Sequence, residues 1–406
     1  MYCTLVSIIF TRLYIIVGSK NTRKRGICMS SLPTAPIRTL TLGVAEPHPL
    51  TPEVIRRASA ILSVAQQRLR ARGYEVQTLR LSTRPVFDDL ADWSDKAILD
   101  YAQNLQKMLD EVALNFCSLG PAQLARPNFP LERLALIPDL LASTSALNVT
   151  AQMATIEEGV RVEAALPIAQ VILRLARETE EGFGNFRFAM LACVDPGCPF
   201  YPAAYHRGPT TLSVGFQGAS IVGETLRALA TERNRTAGGS IPSPALITER
   251  IRVALMSYAS PVNALVQDVA EEQGILFGGY DPSPAPMGED SIVTAMEQAG
   301  YGPFGSVGTL TLAAALTAGL QSIPIAARGY RGLMLPVLED AALGRCWAEG
   351  CVDVQTLLLY SAVCGTGLDT IPLSGDVPAE VIARLLLDVA TLARRALKPL
   401  SARLFP

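Results

Sequence analysis

Histidine and charged residues are scarce in this sequence. Histidine occurs only at positions 48 and 206 of 406 residues, and charged residues make up 18% of the chain against 49% hydrophobic ones. The formal net charge is −2, and no block of like charges follows residue 30. A surface that binds a polyanion needs clustered lysine and arginine. The composition therefore predicts no nucleic-acid partner and a large apolar core.

No run of hydrophobic residues reaches the roughly 20 needed to span a membrane. The apolar run near the start is interrupted by Arg12 and precedes its basic cluster, which is the reverse of a secretory signal. We interpret residues 1–28 as upstream sequence ahead of a start at Met29, with a weak signal anchor as the alternative. Residues 1–36 are thus expected to be a non-native start or a disordered extension, and the protein to be cytoplasmic with no membrane partner.

The eight cysteines are too few for a disulfide scaffold in a chain of this length. Two pairs, Cys193 with Cys198 and Cys346 with Cys351, have four intervening residues, whereas structural zinc sites favour closer pairs accompanied by a second pair. The sequence predicts reduced, mostly buried thiols and no metal. It identifies no cofactor.

Short apolar segments alternate with longer amphipathic ones from residue 37 onward, which is typical of an α/β fold with a parallel sheet. Strands are predicted at 37–44, 74–82, 113–119, 144–150, 186–194, 210–216 and 274–280, with weaker ones near Ile323 and Leu333. Helices are predicted at 52–71, 97–112, 155–179, 220–232, 244–272, 308–320 and 377–397. We expect one domain over residues 37–406, with a mobile loop or a seam at 233–243.

The segment 192–208 combines polar side chains with a proline- and glycine-rich loop after a predicted strand. Histidine transfers protons near neutral pH, so His206 is the candidate proton donor or base, and Asp195 is a candidate to orient it. Tyr205, beside His206, is a predicted ligand-binding residue. The alternative is that His206 only holds a rigid loop in place.

Two further segments carry candidate carboxylates. Asp281 is a candidate to orient His206, to act as a base or to bind a cation, and Ser283 is a candidate anion donor in the same loop. Asp369 follows a helix that also places Cys364 nearby, and it is the fourth catalytic candidate. The alternatives are that Asp281 stabilises a turn and that Cys364 is structural.

Two glycine-rich segments, 304–316 and 326–337, are candidates for anion binding. In the first, backbone amides lead into a predicted helix, a geometry that holds phosphate or carboxylate. Neither segment matches the phosphate-binding or dinucleotide-binding glycine motifs. The predicted ligand-binding set also includes Arg38 on the first strand and comprises, from these segments, Gly305, Ser306, Gly308, Thr309, Gly329 and Gly332.

Several ordered segments resemble the family catalogued as domain of unknown function 711, or uncharacterised protein family 0210. They are IRTLTLGV, CPFYPAAYHRG, FGGYDPSPAP, GSVGTLTLAAAL, GYRGLMLPVLED and CGTGLDTIPLSGDVPAEVI, and together they extend the resemblance over residues 37–400. The resemblance implies the α/β barrel of pyruvate formate-lyase, ten strands in two parallel half-barrels with helices outside. It does not imply glycyl-radical chemistry, because RGYRG at 328–332 departs from the radical motif and lies far from the C-terminus.

These observations lead to a functional hypothesis. We expect a cytosolic metabolic enzyme, of a lyase- or isomerase-like kind, that uses acid–base chemistry on a small anionic molecule. The alternative is a small-molecule-binding or regulatory protein without turnover. The apolar composition also leads us to expect a homo-oligomer.

Overall fold

The computed structural model describes residues 35–235 and 241–406. The predicted N-terminal extension lies outside these ranges except for its last two residues, and the predicted loop at 233–243 is described only in part. Strands and helices alternate along the described chain, which confirms the α/β class.

In the described part of the chain, ten strands form one mixed sheet in the order β8-β7-β1-β2-β3-β4-β6-β10-β9, with β5 paired to β4. The strands are β1 (Ile37–Gly43), β2 (Val76–Ser82), β3 (Cys117–Ala122), β4 (Leu147–Thr155), β5 (Gly159–Val160), β6 (Phe188–Ala192), β7 (Thr211–Phe216), β8 (Leu276–Asp281), β9 (Gly367–Pro372) and β10 (Leu400–Phe405). The central strands β1, β2, β3, β4 and β6 are parallel to one another. The pairs β7–β8 and β9–β10 are each internally parallel but run antiparallel to the centre.

Helices connect these strands and cover the sheet. They are α1 (Pro52–Ala71), α2 (Val86–Asp89), α3 (Asp95–Glu111), α4 (Leu136–Ala142), α5 (Ala165–Glu178), α6 (Ala219–Arg235), α7 (Pro244–Glu272), α8 (Ile292–Glu297), α9 (Thr309–Gln321), α10 (Ala341–Ala348), α11 (Val354–Ser361) and α12 (Ala379–Ala396). The bounds of α1 and α7 match the prediction. A proline at the first helical position marks where each of the two helices begins.

The two faces of the sheet are packed differently. Leu40 and Leu42 of β1 belong to the main apolar core, which also includes the buried faces of the covering helices. Thr39 and Thr41, at the alternate positions, lie on the opposite face, where Thr41 donates a hydrogen bond to the carbonyl of Pro199. The loop segments around residues 198–205 and 330–334 pack on this second face and form a separate small apolar cluster. Polar strand residues are therefore buried under loops rather than under helices.

Some predicted boundaries were wrong. The helix predicted to begin at 155 begins at Ala165, because β4 extends to Thr155 and the short β5 follows it. The helix predicted to begin at 377 begins at Ala379, with Pro378 in the N-cap position, and Asp376 accepts a hydrogen bond from Ser374. The weak strands predicted near Ile323 and Leu333 do not form β-ladders in the described chain. Only isolated bridges occur in this region, from Ala327 to Tyr280 and from Pro336 to Asp369.

The predicted closed barrel is not shown. The regular ladders leave β8 and β9 as the two ends of an open sheet. The predicted barrel has two parallel halves of five strands each. In the described sheet five strands (β1, β2, β3, β4 and β6) run in one direction, and only four long strands (β7, β8, β9 and β10) run in the other. What the structure supports is a mixed α/β fold with a ten-stranded sheet.

Candidate functional site

A cavity of about 380 Å³ lies where the ends of several strands meet the loops that cover the polar face of the sheet. Its size is in the range of pockets that bind small organic molecules. Four arginines and two carboxylates line it, together with aromatic and small polar side chains. The charged residues are Arg38, Arg80, Arg187, Arg403, Glu339 and Asp369.

Arg38 reaches the cavity from β1. The pairing of β1 with β7 shifts register between Ile37 and Thr39, so Arg38 lies at an irregularity of the strand. Its guanidinium donates to Glu339 Oε2 and to Gln77 Oε1, both at 3.3 Å. Burial lowers the pKa of Arg38, although Glu339 opposes this effect. Arg38, which the sequence predicts to bind a ligand, therefore lines a cavity of a size that suits a small molecule.

Arg403 of β10 connects the two carboxylates of the cavity. Its Nε donates to Asp369 Oδ1 at 2.5 Å and its Nη2 to Glu339 Oε1 at 2.7 Å. Burial alone would lower the pKa of Arg403, but attraction to Asp369 and Glu339 outweighs burial and raises it. Burial raises the pKa of Asp369, with Arg403 opposing this. Asp369, predicted from its sequence segment, thus lies in the cavity as a carboxyl group whose proton affinity is increased.

Arg80 of β2 is the exceptional charge in the cavity. It is 6% exposed, and its Nε donates to Thr78 Oγ1 at 2.9 Å. Its guanidinium carbon lies 5.1 Å from the ring centroid of Phe116 and 5.0 Å from that of Tyr201. Within residues 35–235 and 241–406, Nη1 and Nη2 of Arg80 have no hydrogen-bond or carboxylate partner. Burial, followed by repulsion from Arg38, lowers the pKa of Arg80 to about 9.

Arg187 differs from Arg80 because protein oxygens already satisfy it. It donates to the carbonyls of Leu141, Thr144 and Leu147 at 2.6, 2.7 and 3.2 Å. The carbonyls of Leu141 and Thr144 lie at the carboxyl end of α4 and just beyond, where the helix dipole favours a cation, and Leu147 begins β4. Arg187 therefore serves to hold this helix end beside the cavity.

Aromatic rings supply much of the remaining wall. Phe183 and Phe186 have ring centroids 4.8 Å apart, and Phe186 also packs on Phe405 at 4.5 Å. Phe200 and Tyr330 line the wall as well, and both belong to the small apolar cluster on this face of the sheet. The cavity therefore combines a charged group of side chains with an apolar surface.

His206 and Asp195 do not line this cavity. His206 Nε2 lies 2.8 Å from the carbonyl of Pro209, and the imidazole packs so closely on Gly43 that a Cβ there would overlap it. Burial lowers the pKa of His206. Asp195 is exposed and is not a hydrogen-bond partner of His206 in the part of the chain that the structure describes. The two candidates are not brought together.

Asp281 is fully buried and accepts four hydrogen bonds. The donors are the backbone amide and hydroxyl of Ser283, at 3.0 and 2.6 Å, and the amides of Tyr330 and Arg331, at 2.8 and 3.2 Å. The Ser283 hydroxyl in turn accepts from the amide of Gly332 at 3.0 Å. Asp281 and Ser283 therefore fasten the 329–332 loop, which positions Tyr330 at the cavity. The hydrogen bonds between Asp281 and Ser283 stabilise a turn, which is the predicted alternative to a catalytic role for Asp281.

The other predicted ligand residues lie apart from the cavity lining. Tyr205 is buried and donates to the carbonyl of Val194 at 2.9 Å. Gly329 has a φ of 83°, and Gly332 lies against Gly365 so closely that neither position has room for a Cβ. The predicted amide cluster at the start of α9 forms a separate place on the molecule, and none of its residues lines the cavity. Those residues are Gly305, Ser306, Gly308 and Thr309.

Four residues of the cavity lining on which the site depends were not predicted from the sequence as site residues. They are Arg80, Tyr201, Glu339 and Arg403. A signal for Arg80 was available, since it lies between Leu79 and Leu81 in a strand of the sheet, and an arginine is seldom buried without a reason. Arg403 was missed because β10 itself was not predicted.

The described residues contain neither a candidate metal site nor a candidate membrane span. No group of three or more histidine, cysteine or acidic side chains has an arrangement that could hold a metal ion in residues 35–235 and 241–406. Over the same residues, no helix is long and apolar enough to cross a membrane.

Comparison with known proteins identifies the class to which this α/β chain belongs. A family model described as Uncharacterised ACR (DUF711) matches residues 29–406, so the chain belongs to this family, and the predicted resemblance is confirmed. A UPF0210 protein of Pyrobaculum aerophilum is 30% identical over 349 residues, covering 82% of this chain and 74% of the relative. UPF0210 proteins of Desulforudis audaxviator and Oenococcus oeni are 26% and 23% identical, each over 91% of this chain and 85% of the relative.

Proposed function

We propose that this protein binds a small organic anion in the cavity next to Arg80. The observation that carries the proposal is the buried Arg80 guanidinium, whose Nη1 and Nη2 have no partner among the described residues. A buried charge without a counter-charge is costly, and an anionic ligand would remove that cost. Because Thr78 already takes Nε, the two terminal nitrogens are left to face a bidentate oxyanion.

We further propose that Asp369 transfers a proton to or from the bound molecule. Its carboxyl group lines the cavity, Arg403 fixes its orientation, and burial raises its pKa toward the range that suits a general acid or base. His206 as proton donor or base, assisted by Asp195 or Asp281, stays a prediction from the sequence. Ligand binding without turnover is the second candidate function, favoured by the lack of an imidazole in the cavity lining of the described chain.

Native mass spectrometry of protein from its own cells tests the anion site. We expect wild-type protein to release a small organic anion on denaturation, and Arg80→Gln to release none. Arg84→Gln is the matched control, because Arg84 pairs with Asp89 away from the cavity. A wild-type protein that carries no anion, and whose melting temperature carboxylates and phosphates leave unchanged, would contradict the proposal. Incubating the released molecule with fresh protein then separates turnover from binding.

The closed barrel implied by the family resemblance stays part of this proposal. Support comes from the two isolated parallel bridges, which attach the segment around residues 327–336 to β8 on one side and to β9 on the other. Closure through this segment would place the cavity at one end of the barrel interior. A cytoplasmic location and a homo-oligomeric state also stay predictions.

A further inference from the structure

The charge of the cavity limits the charge of its ligand, if the proposed anion site is accepted. Arg38 and Arg403 share the carboxylates of Glu339 and Asp369, and these four groups together are neutral when all are ionised. The guanidinium of Arg187 already donates to three backbone carbonyls. Arg80 is then the cation of the lining whose two terminal nitrogens have no partner among the described residues. One carboxylate would occupy both of these nitrogens, whereas the second charge of a dianion would meet no further guanidinium without partners in the lining.

The shape of the Arg80 side chain favours a planar anion. Phe116 and Tyr201 contact the guanidinium through their rings, so the remaining hydrogen-bonding edge is the one with Nη1 and Nη2. Two parallel N–H groups match the two oxygens of a carboxylate.

The size and the aromatic wall of the cavity indicate what the carboxylate is attached to. A cavity of about 380 Å³ is far larger than a two-carbon acid needs. Phe183, Phe186 and Phe200 line the cavity with apolar surface. Covering this surface with an apolar ring of the ligand, instead of water, is favourable.

From these three observations we infer that the ligand is a monocarboxylate with an aromatic or similarly apolar ring. The inference rests on the proposed anion site and adds the class of the molecule bound there. It separates this site from one for phosphate esters or for short aliphatic acids.

The test is titration calorimetry at pH 7.5 with four probes. Phenylacetate represents the inferred class, acetate lacks the ring, phenylacetamide lacks the charge, and phenyl phosphate has the ring with close to two charges. We expect phenylacetate to bind at least tenfold more tightly than each of the others, because ring burial and the pairing of one carboxylate with Arg80 both contribute. Arg80→Gln should abolish phenylacetate binding, whereas Phe183→Ala should weaken binding of phenylacetate but not of acetate.

The outcomes distinguish this inference from the proposed function. Equal or tighter binding of phenyl phosphate, or equal binding of acetate, would overturn the monocarboxylate class while leaving an anion site at Arg80. Failure of all three anions to bind, or binding that Arg80→Gln does not weaken, would overturn both. Because Phe183 is only half-buried, its alanine variant should stay folded, and its circular dichroism spectrum checks this.

Discussion

The guanidinium carbon of Arg80 lies 5.0 Å from the ring centroid of Tyr201. The ring is itself held in place, because the Tyr201 hydroxyl accepts from the amide of Ser118 at 3.0 Å and also contacts the carbonyl of Leu81. Stacking of a cation on an aromatic ring recovers part of the free energy lost on burial, but less than a carboxylate would recover. The protein thus keeps a positive charge in its interior with no carboxylate in ion-pair contact among the described residues.

The first prediction is that Arg80→Met stabilises the protein while abolishing anion binding. Methionine fills similar space between the rings of Phe116 and Tyr201 and removes a desolvated charge, so the free energy of unfolding should rise by about 1–2 kcal/mol. Urea denaturation at pH 7 measures the change, with Arg56→Met as a surface control that should move stability by less than about 0.5 kcal/mol, because Arg56 and its partner Glu53 are both exposed. Destabilisation by Arg80→Met would indicate that packing, and not ligand binding, retains the arginine.

The second prediction concerns pH. Burial lowers the pKa of Arg80 to about 9, so the guanidinium loses its charge as pH rises through this value in the unliganded protein. Affinity for a carboxylate that is fully ionised throughout should therefore be constant from pH 6 to 8 and fall by about tenfold per pH unit well above 9. Calorimetry across this range checks it. Constant affinity up to pH 10.5 would show that Arg80 keeps its proton in the folded protein, and loss of binding in Arg80→Gln remains the test of whether Arg80 binds the anion.

The strand and helix pattern was largely predictable because it depends on local periodicity. Pro52 and Pro244 mark helix starts from their own chemistry, and β1 reads as an apolar strand despite Arg38. β9 was missed because its first residue is a glycine at the end of a glycine-rich segment, and β10 because Ser401 and Arg403 interrupt its apolar residues. Both strands are buried by long-range pairing, which local patterns do not contain.

The site was only half predictable, for a related reason. Arg38 and Asp369 were selected from the sequence and line the same cavity, although 331 residues separate them (369 − 38). His206 was selected because histidine is rare and chemically versatile, yet the backbone of its own loop takes its Nε2. Which of several plausible polar groups share a cavity depends on how the loops pack on the sheet, and residue type alone does not determine that.

The third prediction separates the roles of the two carboxylates. Asp369→Asn keeps an oxygen for Arg403 but removes the proton-transfer group, so turnover of the native ligand should fall at least about 100-fold. Anion affinity should stay the same or increase, because a nearby negative charge is removed. Glu339→Gln removes one charge from the same Arg403 interaction, and His206→Gln changes the imidazole that lies apart from the cavity.

The comparison among these variants decides which group transfers the proton. A large loss of turnover in Asp369→Asn with a smaller loss in Glu339→Gln would support Asp369 as the proton-transfer group. An equal loss in both would attribute the effect to the changed charge of the cavity. A loss confined to His206→Gln would identify His206 as the proton-transfer group. Steady-state kinetics on the molecule released in the mass-spectrometry experiment provides the rates.

The fourth prediction concerns His48, which is 5% exposed. Its Nδ1 lies 2.7 Å from Tyr101 Oη and its Nε2 2.8 Å from Thr83 Oγ1, and burial lowers its pKa to about 4. The unfolded chain takes up a proton near pH 6.5 that the folded protein does not, so stability is full above 6.5 and declines as pH falls to 4. The decline attributable to His48 should be about 3 kcal/mol.

Urea denaturation at a series of pH values measures this contribution. In His48→Gln the slope of unfolding free energy against pH between 6.5 and 4 should be smaller than in the wild type, because the group that binds the extra proton in the unfolded state is gone. Parallel curves for the two proteins would show that the imidazole is protonated in the folded state as well.

The fifth prediction tests how the 329–332 loop is fastened beside the cavity. Gly329 has a φ of 83°, and a Cβ there would overlap Oδ2 of Asp281 and lie 3.3 Å from Cys198 Sγ. Gly274 is the matched control, because it also has a positive φ, of 65°, but no atom within 4 Å of its Cβ position. Gly274→Ala should cost about 1 kcal/mol from backbone conformation alone. Gly329→Ala should cost about 3 kcal/mol or more, since Asp281 must also move. Because Tyr330 would shift with the loop, Gly329→Ala should weaken anion binding as well, whereas equal costs for the two variants would show that the loop adapts freely.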